Sequence, residues 1–285
     1  LAEISRSGYG DCKDYSAALA SILRKNGYKS NVAFVYRGDT SQVEKNKLPS
    51  LKVSNHAITY LEVAGKPRWL DATNNMVFTN EPLPDIAGRP ALILDPRTPM
   101  ELDIPENQHK KNKSLIQIEY SDVKKPFIKV KSKLKFSGVP ASEWTGDQLR
   151  SSEEAIQFRL LEWTSSNIKS VKNTKFQPIS LLSRITKDLE FNYDFEELNP
   201  FYTSNQGLGF ILWENSALAQ IAERLERRST DLGLNYPRIS EYAIVFKNVT
   251  SQDVTKLDCS FKSQWVEFNR RVSQKSKTLY INDIT

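Results

Sequence analysis

The apolar residues of the stretch 13–26 recur at intervals of three and four, which predicts an amphipathic helix. Its apolar positions are Tyr15, Ala18, Leu19, Ile22 and Leu23. Asp11 is placed to cap the helix, Asp14 stands where a capping box needs its second member, and Asn26-Gly27 is typical of a helix end. The apolar face of this helix is expected to pack against the strands that follow it.

Strand patterns follow this helix. "NVAFVY" (31–36) predicts a buried strand, and "HAITYLEV" (56–63) and "RWLDAT" (68–73) predict two more around a turn at "AGKP" (64–67). Residues 37–54 are polar and predict a loop. Residues 80–105 are rich in proline and predict an irregular, extended wrap with one apolar run at 91–94.

The pattern changes after the polar and charged stretch "ENQHKKNK" (106–113), which predicts a linker between a domain at 1–105 and a domain at 114–285. Period-two alternation predicts strands in the second domain at 114–120, 127–136, 239–246, 256–261, 264–272 and 277–283. The stretch 151–163 predicts a helix, and 216–228 fits a short helix or a strand. The second domain is therefore expected to be β-rich, a sandwich with one or two helices.

Composition narrows the classes of function. The chain has 285 residues, 39% of them hydrophobic and 26% charged, which is enough for packed cores. No apolar run approaches the roughly 20 residues that span a bilayer. The net charge of +6 is spread along the chain without an Arg/Lys cluster, which argues against nucleic-acid binding. Two Cys and two His at scattered positions exclude a disulfide scaffold and a zinc site, so we expect no metal and no cofactor.

Three residues in chain order carry candidate chemistry. Cys12 opens the predicted helix, His56 opens a strand, and Asp71 lies near the end of the next strand. A helix N-terminus and a neighbouring imidazolium both favour a thiolate nucleophile, and a carboxylate orients the imidazole. Taken singly, each residue fits a structural role as well as a catalytic one. The combination predicts a Cys12–His56–Asp71 triad.

The motifs "GDCKDYSAALASILRKNGY", "NHAITYLEV" and "RWLDAT" resemble the transglutaminase-like superfamily, in a bacterial branch with flanking β-rich domains. The resemblance covers roughly residues 5–105. Two positions depart from the family pattern: Ala72 stands where Pro is usual, and Ile58 where many members have Trp. The resemblance implies a papain-like α+β core, with the Cys helix packed on an antiparallel sheet, and a periplasmic or extracellular location.

What the resemblance implies for function is thiol-dependent acyl transfer on an amide of a peptide or protein. It favours hydrolysis, as in a cysteine protease or amidase, over transfer to an amine, as in a transglutaminase. The competing class is a non-catalytic binding or scaffolding protein on a retired fold of this type. Family members usually carry helices before the nucleophile, so we also expect an upstream segment or partner to complete the cleft.

Other residues have weaker predicted roles. Tyr9 and the Cys12 backbone N–H could donate to an oxyanion, and Asn55 fits either a contact to a substrate carbonyl or a cap at the start of a strand. Trp69 is expected to pack beside the site, and Cys259 to lie in a core.

The predicted triad has a geometric problem. A tight turn at Gly65-Lys66 would pair Tyr60 with Asp71. His56 and Asp71 would then share a face of the hairpin but lie four positions apart, about 13 Å at ~3.4 Å per residue. A bulge, a wider turn or strong coiling must close this gap.

Overall fold

A computed structural model describes most of the chain. The described residues are 6, 8–38, 54–74, 82–177, 188–205, 207–209, 236–249, 254–264 and 266–285. They form two compact units: the residues up to 108 together with 236 and 237 make the first, and all other residues from 109 onward make the second. The segment 216–228, predicted as a short helix or a strand, lies outside the described residues.

In its described part, the first unit consists of helix α1 and a five-stranded antiparallel sheet. Helix α1 spans Cys12–Lys25. The strands, in the spatial order β3-β2-β1-β4-β5, are β1 Lys29–Val35, β2 His56–Val63, β3 Lys66–Leu70, β4 Pro90–Ile93 and β5 Met100–Asp103.

Helix α1 begins with the predicted capping box. The Asp11 side chain accepts from the backbone N–H groups of Lys13 and Asp14, and the Asp14 carboxylate accepts from the Asp11 N–H at 3.0 Å. The helix buries small residues, Ser16 and Ala20, instead of the predicted large apolar ones. Small side chains let the helix backbone approach the sheet closely, and Ile22 on the predicted apolar face stays 57% exposed.

The turn between β2 and β3 differs by one residue from the prediction. Val63 pairs with Lys66, so the two turn residues are Ala64 and Gly65. Both have positive φ, 49° and 73°, as in the turns that match the twist of a tight hairpin. The register shifts by two positions as a result, and its extension past Leu70 sets Asp71 opposite Ile58 rather than opposite Tyr60.

The second unit contains one continuous sheet of eight strands in the order β13-β14-β15-β12-β6-β7-β9-β8. All neighbours are antiparallel except β6 and β12, which are parallel. A short hairpin of β10 and β11 is separate. The strands are β6 Lys113–Ser121, β7 Phe127–Ser137, β8 Lys172–Phe176, β9 Asp188–Leu198, β10 Tyr202–Ser204, β11 Gly207–Gly209, β12 Ile239–Lys247, β13 Cys259–Lys262, β14 Glu267–Lys275 and β15 Thr278–Ile284.

Two helices contribute to the core of the second unit, α2 over Val139–Arg150 and α3 over Glu153–Thr164. Trp144 from α2 stacks on Phe136 of β7 with ring centroids 5.5 Å apart, and Leu160 of α3 is fully buried in the same cluster. Four alternate residues of β7 are lysines, and three of them lie opposite acidic residues of β9. The fourth, Lys133, lies opposite Asn192 and forms a diagonal 2.9 Å ion pair with Glu190 of β9. The sheet is therefore apolar on its helix side and charged on the other.

The predicted fold class is wrong. The chain is mostly β, with two large sheets and, in its described part, three α-helices, so it does not have a papain-like or transglutaminase-like α+β core. The sandwich is wrong for a physical reason. In the part of the second unit that the structure describes, the long strands pair edge to edge into one sheet, and helices rather than a second large sheet pack on its apolar face. None of the described helices has the length and apolar character needed to cross a membrane.

Candidate active site

The N-terminus of α1 lies at the end of the sheet where β2 begins. Near the start of the helix, Ser16 Oγ donates to the Ala57 carbonyl at 2.9 Å. Near its other end, Arg24 donates to the carbonyl of Ser30, which pairs with Leu61 of β2. The helix therefore runs in the same direction as β2. Cys12 precedes Ser16 by one turn, about 6 Å at ~1.5 Å per residue, and so extends toward the start of the strand.

His56 and Asp71 meet at this end of the sheet. The His56 Nε2 atom lies 2.9 Å from Asp71 Oδ2, and the two side chains are only 8% and 2% exposed. The observed turn reduces the offset along the hairpin from four positions to two, and Asp71 follows the last residue of β3, where it is free to turn toward the imidazole. The gap predicted from the sequence is closed by the turn, without a bulge.

Asp71 is held as an ionised acceptor. Burial alone would raise the pKa of its carboxyl, but the hydrogen bonds from His56 and from the Thr73 side chain and backbone together keep that pKa below its usual value. Thr73 donates to Oδ1 through its N–H at 2.9 Å and its hydroxyl at 2.6 Å, which leaves Oδ2 for the imidazole. A buried carboxylate with one oxygen fixed by its own chain is suited to orient a histidine.

Cys12 is a free, partly buried thiol. Within the described residues no hydrogen bond joins its Sγ to His56. Thr59 contacts α1 through its hydroxyl, and the alternation of side chains along β2 places His56 on the opposite face of that strand. The thiol and the imidazole therefore lie at the same end of the sheet without a hydrogen bond between them. The His56 Nδ1 atom and the Cys12 backbone N–H also have no hydrogen-bond partner in this described part.

The weaker candidates have different surroundings. Asn55 forms two hydrogen bonds with the backbone of Arg37, one from its amide nitrogen at 2.8 Å and one to its oxygen at 2.6 Å, and so continues the β1–β2 ladder with a side chain. Tyr9 is 84% exposed. Trp69 packs against the core of the first unit, edge-on to Tyr60 with ring centroids 5.5 Å apart.

Two charged residues that sequence reasoning missed complete the site. Arg37 Nη1 lies 3.5 Å from both His56 Nε2 and Asp71 Oδ2, and Arg37 Nε donates to Asp85 Oδ2 at 2.5 Å. Both residues lie in stretches predicted as loop or irregular wrap. No local pattern marks them, because the contacts depend on where β1 ends relative to the segment before β4.

Cys259 does not lie in a core, contrary to prediction. It is exposed on β13, a strand that pairs on one side only, and its neighbours in that strand are exposed as well. An edge strand has no second neighbour to cover it. Among the described residues no group of three His, Cys, Asp or Glu side chains is placed to hold a metal ion.

Comparison with known proteins adds little to this geometry. No family model matches the chain, and no curated protein does. One similar solved structure is that of a "putative protease" from Parabacteroides distasonis, with 13% sequence identity and a TM-score of 0.43. The match covers 99% of this chain but 38% of that protein, so the chain spans well under half of its length. A match at this identity and TM-score does not indicate what this chain does.

Proposed function

We propose that the protein is a thiol-dependent hydrolase of amide bonds in peptides or proteins, with Cys12 as nucleophile, His56 as base and Asp71 as the residue that orients His56. The observation that carries the proposal is the buried His56–Asp71 hydrogen bond at the end of the sheet where the Cys12 helix begins. Because Nε2 is engaged by the carboxylate, Nδ1 is the ring atom left to exchange a proton with a thiol or a substrate.

In the first half of the reaction the Cys12 sulfur bonds to the carbonyl carbon of the amide, and its proton passes to His56. The Cys12 backbone N–H is a donor for the oxyanion that forms. The C–N bond then breaks as His56 returns the proton to the leaving amine. A thioester on Cys12 remains.

In the second half a water molecule gives a proton to His56 and its oxygen bonds to the thioester carbon. The C–S bond breaks, the acid product leaves, and the proton returns to the thiolate. An amine in place of water would give a transamidation product through the same thioester. Adding an acceptor amine to the assay therefore distinguishes hydrolysis from transamidation.

The active form must bring Cys12 and His56 into contact, because no hydrogen bond joins them in this structure. Catalytic hydrogen bonds are often long or poorly aligned without substrate and tighten in the complex. Because His56 faces away from α1 in this structure, the proposal requires the start of β2 or the first turn of α1 to move so that the imidazole and the thiol come together.

The decisive experiment combines turnover with trapping of the thioester. The protein is incubated with a quenched casein substrate and a peptide library, with and without a labelled primary amine. Cys12→Ala should lower the rate at least ~100-fold because covalent catalysis is lost. Acid quenching followed by mass spectrometry should show an acyl group on the peptide containing Cys12.

The matched control is Cys259→Ala, which removes the other thiol and should leave the rate unchanged. If Cys12→Ala retains more than about one part in a hundred of the activity, Cys12 is not the nucleophile. If the parent protein binds peptides but never turns them over or acylates Cys12, the chain is a binding protein.

A further inference from the structure

Arg37 places a positive charge beside the proposed His56–Asp71 pair. Its guanidinium lies beside the His56–Asp71 hydrogen bond, 3.5 Å from each of the two bonded atoms. Its side chain is 35% exposed, whereas that of Asp71 is 2% exposed, so Arg37 links the buried pair to a position that solvent reaches.

Several contacts fix Arg37 in this position. Asp85 accepts from Nε at 2.5 Å, and Asn55 holds the Arg37 backbone at both its N–H and its carbonyl. The next residue, Gly38, donates its N–H to the Asp85 carbonyl at 3.2 Å. The side chain of Arg37 is therefore anchored to the segment before β4, and its backbone to the residue that precedes β2.

We infer that Arg37 is a positioning residue, which holds the His56–Asp71 pair in its working geometry and sets the balance of charge around it. This inference rests on the proposed function. Arg37 lies on the Nε2 side of the imidazole, away from the atom that would face the thiol, so it acts through His56 and Asp71 rather than on substrate. Among the described residues, the charged groups that face the imidazole are Asp71 and Arg37, and Asp85 partly offsets the Arg37 charge.

A planar guanidinium is required because it contacts two carboxylates at once. Its Nε edge faces Asp85 while Nη1 reaches Asp71, and a lysine ammonium has a single centre that cannot span both. The positive charge opposes protonation of the neighbouring imidazole. Arg37→Gln removes the charge and should therefore make the ring of His56 easier to protonate. Arg37→Lys keeps the charge but loses the planar guanidinium, and it should not have this effect.

The experiment measures two properties of Arg37→Gln and Arg37→Lys. The first is the rate of peptide hydrolysis, separated into kcat and KM. The second is the pH midpoint of the His56 ring signals in proton NMR, which needs no turnover. The chain has only two histidines, so His109→Gln assigns the spectrum.

For Arg37→Gln we expect kcat to fall about 10-fold or more, KM to change less than about 3-fold, and the NMR midpoint to move to higher pH. Arg37→Lys should keep the midpoint near that of the parent and recover only part of kcat. Arg68→Gln is the matched control, since it removes the same charge from an exposed position on β3. It should change neither property.

Two results would overturn the inference: a parental NMR midpoint together with parental kcat in Arg37→Gln, or equal shifts in Arg37→Gln and Arg68→Gln. If the parent protein shows no turnover at all, the proposed function fails, but the NMR comparison still decides whether Arg37 sets the state of the His56–Asp71 pair. The two failures are thus distinguishable.

Discussion

The hydroxyl of Thr59 donates a hydrogen bond to the backbone carbonyl of Ser16, 3.1 Å away, and both residues are fully buried. Together with the bond from Ser16 Oγ to the Ala57 carbonyl, it ties the helix that carries Cys12 to the strand that starts at His56. Ser16 stands one helical turn after Cys12, so these two bonds set how far the thiol extends past the start of β2.

Thr59→Val should therefore weaken both the fold and the site. Valine has the shape of threonine but cannot donate to the buried Ser16 carbonyl, and we expect the free energy of unfolding to fall by about 1 to 3 kcal/mol. Urea titration measures this change. Thr59→Ser keeps the hydroxyl and serves as the control.

The same pair of variants tests the positioning role. If the tie to β2 places the thiol, Thr59→Val should also change the rate at which Cys12 reacts with iodoacetamide under conditions where the protein remains folded. A variant that loses stability while Cys12 keeps its parental alkylation rate would show that the tie is only structural.

Cys12, the less exposed of the two thiols, should react faster with an alkylating reagent than Cys259. Cys259 is exposed and Cys12 is partly buried, so access alone predicts faster alkylation of Cys259. The proposed thiolate at the start of α1 predicts that Cys12 reacts faster with iodoacetamide at neutral pH, by ~10-fold or more. Peptide mass spectrometry after short exposures of the native protein separates the two sites.

His56→Ala is the control for this prediction, because it removes the proton acceptor and leaves the helix intact. The rate at Cys12 should then drop while that at Cys259 stays constant. Faster labelling of Cys259 in the parent protein would count against an activated thiol at Cys12.

Local signals in the sequence predicted the elements that carry the site. Strand β2 matches its predicted bounds because an apolar run lies between Asn55 and Ala64-Gly65, and the capping box of Asp11 and Asp14 forms as expected. The turn was displaced by one residue because Ala64, a residue without glycine's freedom, adopts positive φ. That single displacement decides whether Asp71 can reach His56.

The rest depends on contacts between distant segments. Strand β9 alternates clearly in "DLEFNYDFEEL", but nothing local shows that it pairs with β7 and extends one sheet rather than forming a second. Helix α2 contains Pro140 and Gly146, which weaken its pattern, and it is stabilised by the burial of Trp144. Arg37 and Asp85 meet only after β1 and the segment before β4 are in place.

Asp71→Asn should lower stability in a way that depends on pH. The folded protein holds the pKa of Asp71 below its usual value, so the stabilisation from its ionised form is present above about pH 4 and is lost as pH falls through the folded value. At pH 7 we expect the variant to be less stable by about 2 kcal/mol, the order of a hydrogen bond to a charged group.

Native-state hydrogen exchange of the β2 amides at several pH values measures this difference. The stabilities of the parent and the variant should converge as the pH is lowered below 4. A gap that is constant from pH 7 to pH 3 would mean that the carboxylate charge contributes nothing and that only the shape of the side chain matters.

Glu197 should give the opposite pH dependence in the second unit. Its side chain is fully buried, and burial raises the pKa of its carboxyl above the usual value although Ser166 and Asn167 donate to Oε2. Stability linked to the protonated form is complete below about pH 4.3, the usual pKa, and is lost as pH rises through the higher folded value. The segment after α3 should therefore open more readily as the pH rises.

Glu197→Gln removes the charge but keeps an oxygen to accept from Ser166, so this slope should disappear. Glu197→Ala leaves the Ser166 and Asn167 donors without their partner and should cost about 1 to 3 kcal/mol at every pH. Hydrogen exchange at the Ser166 and Asn167 amides reports the opening directly.

Because Oε1 of Glu197 is buried and accepts no hydrogen bond in the described part of the chain, ionisation gains nothing there to offset its desolvation. If the stability of the parent protein does not change as the pH rises above about 4.3, the ionised carboxylate of Glu197 has hydrogen-bond donors in solution that offset its burial.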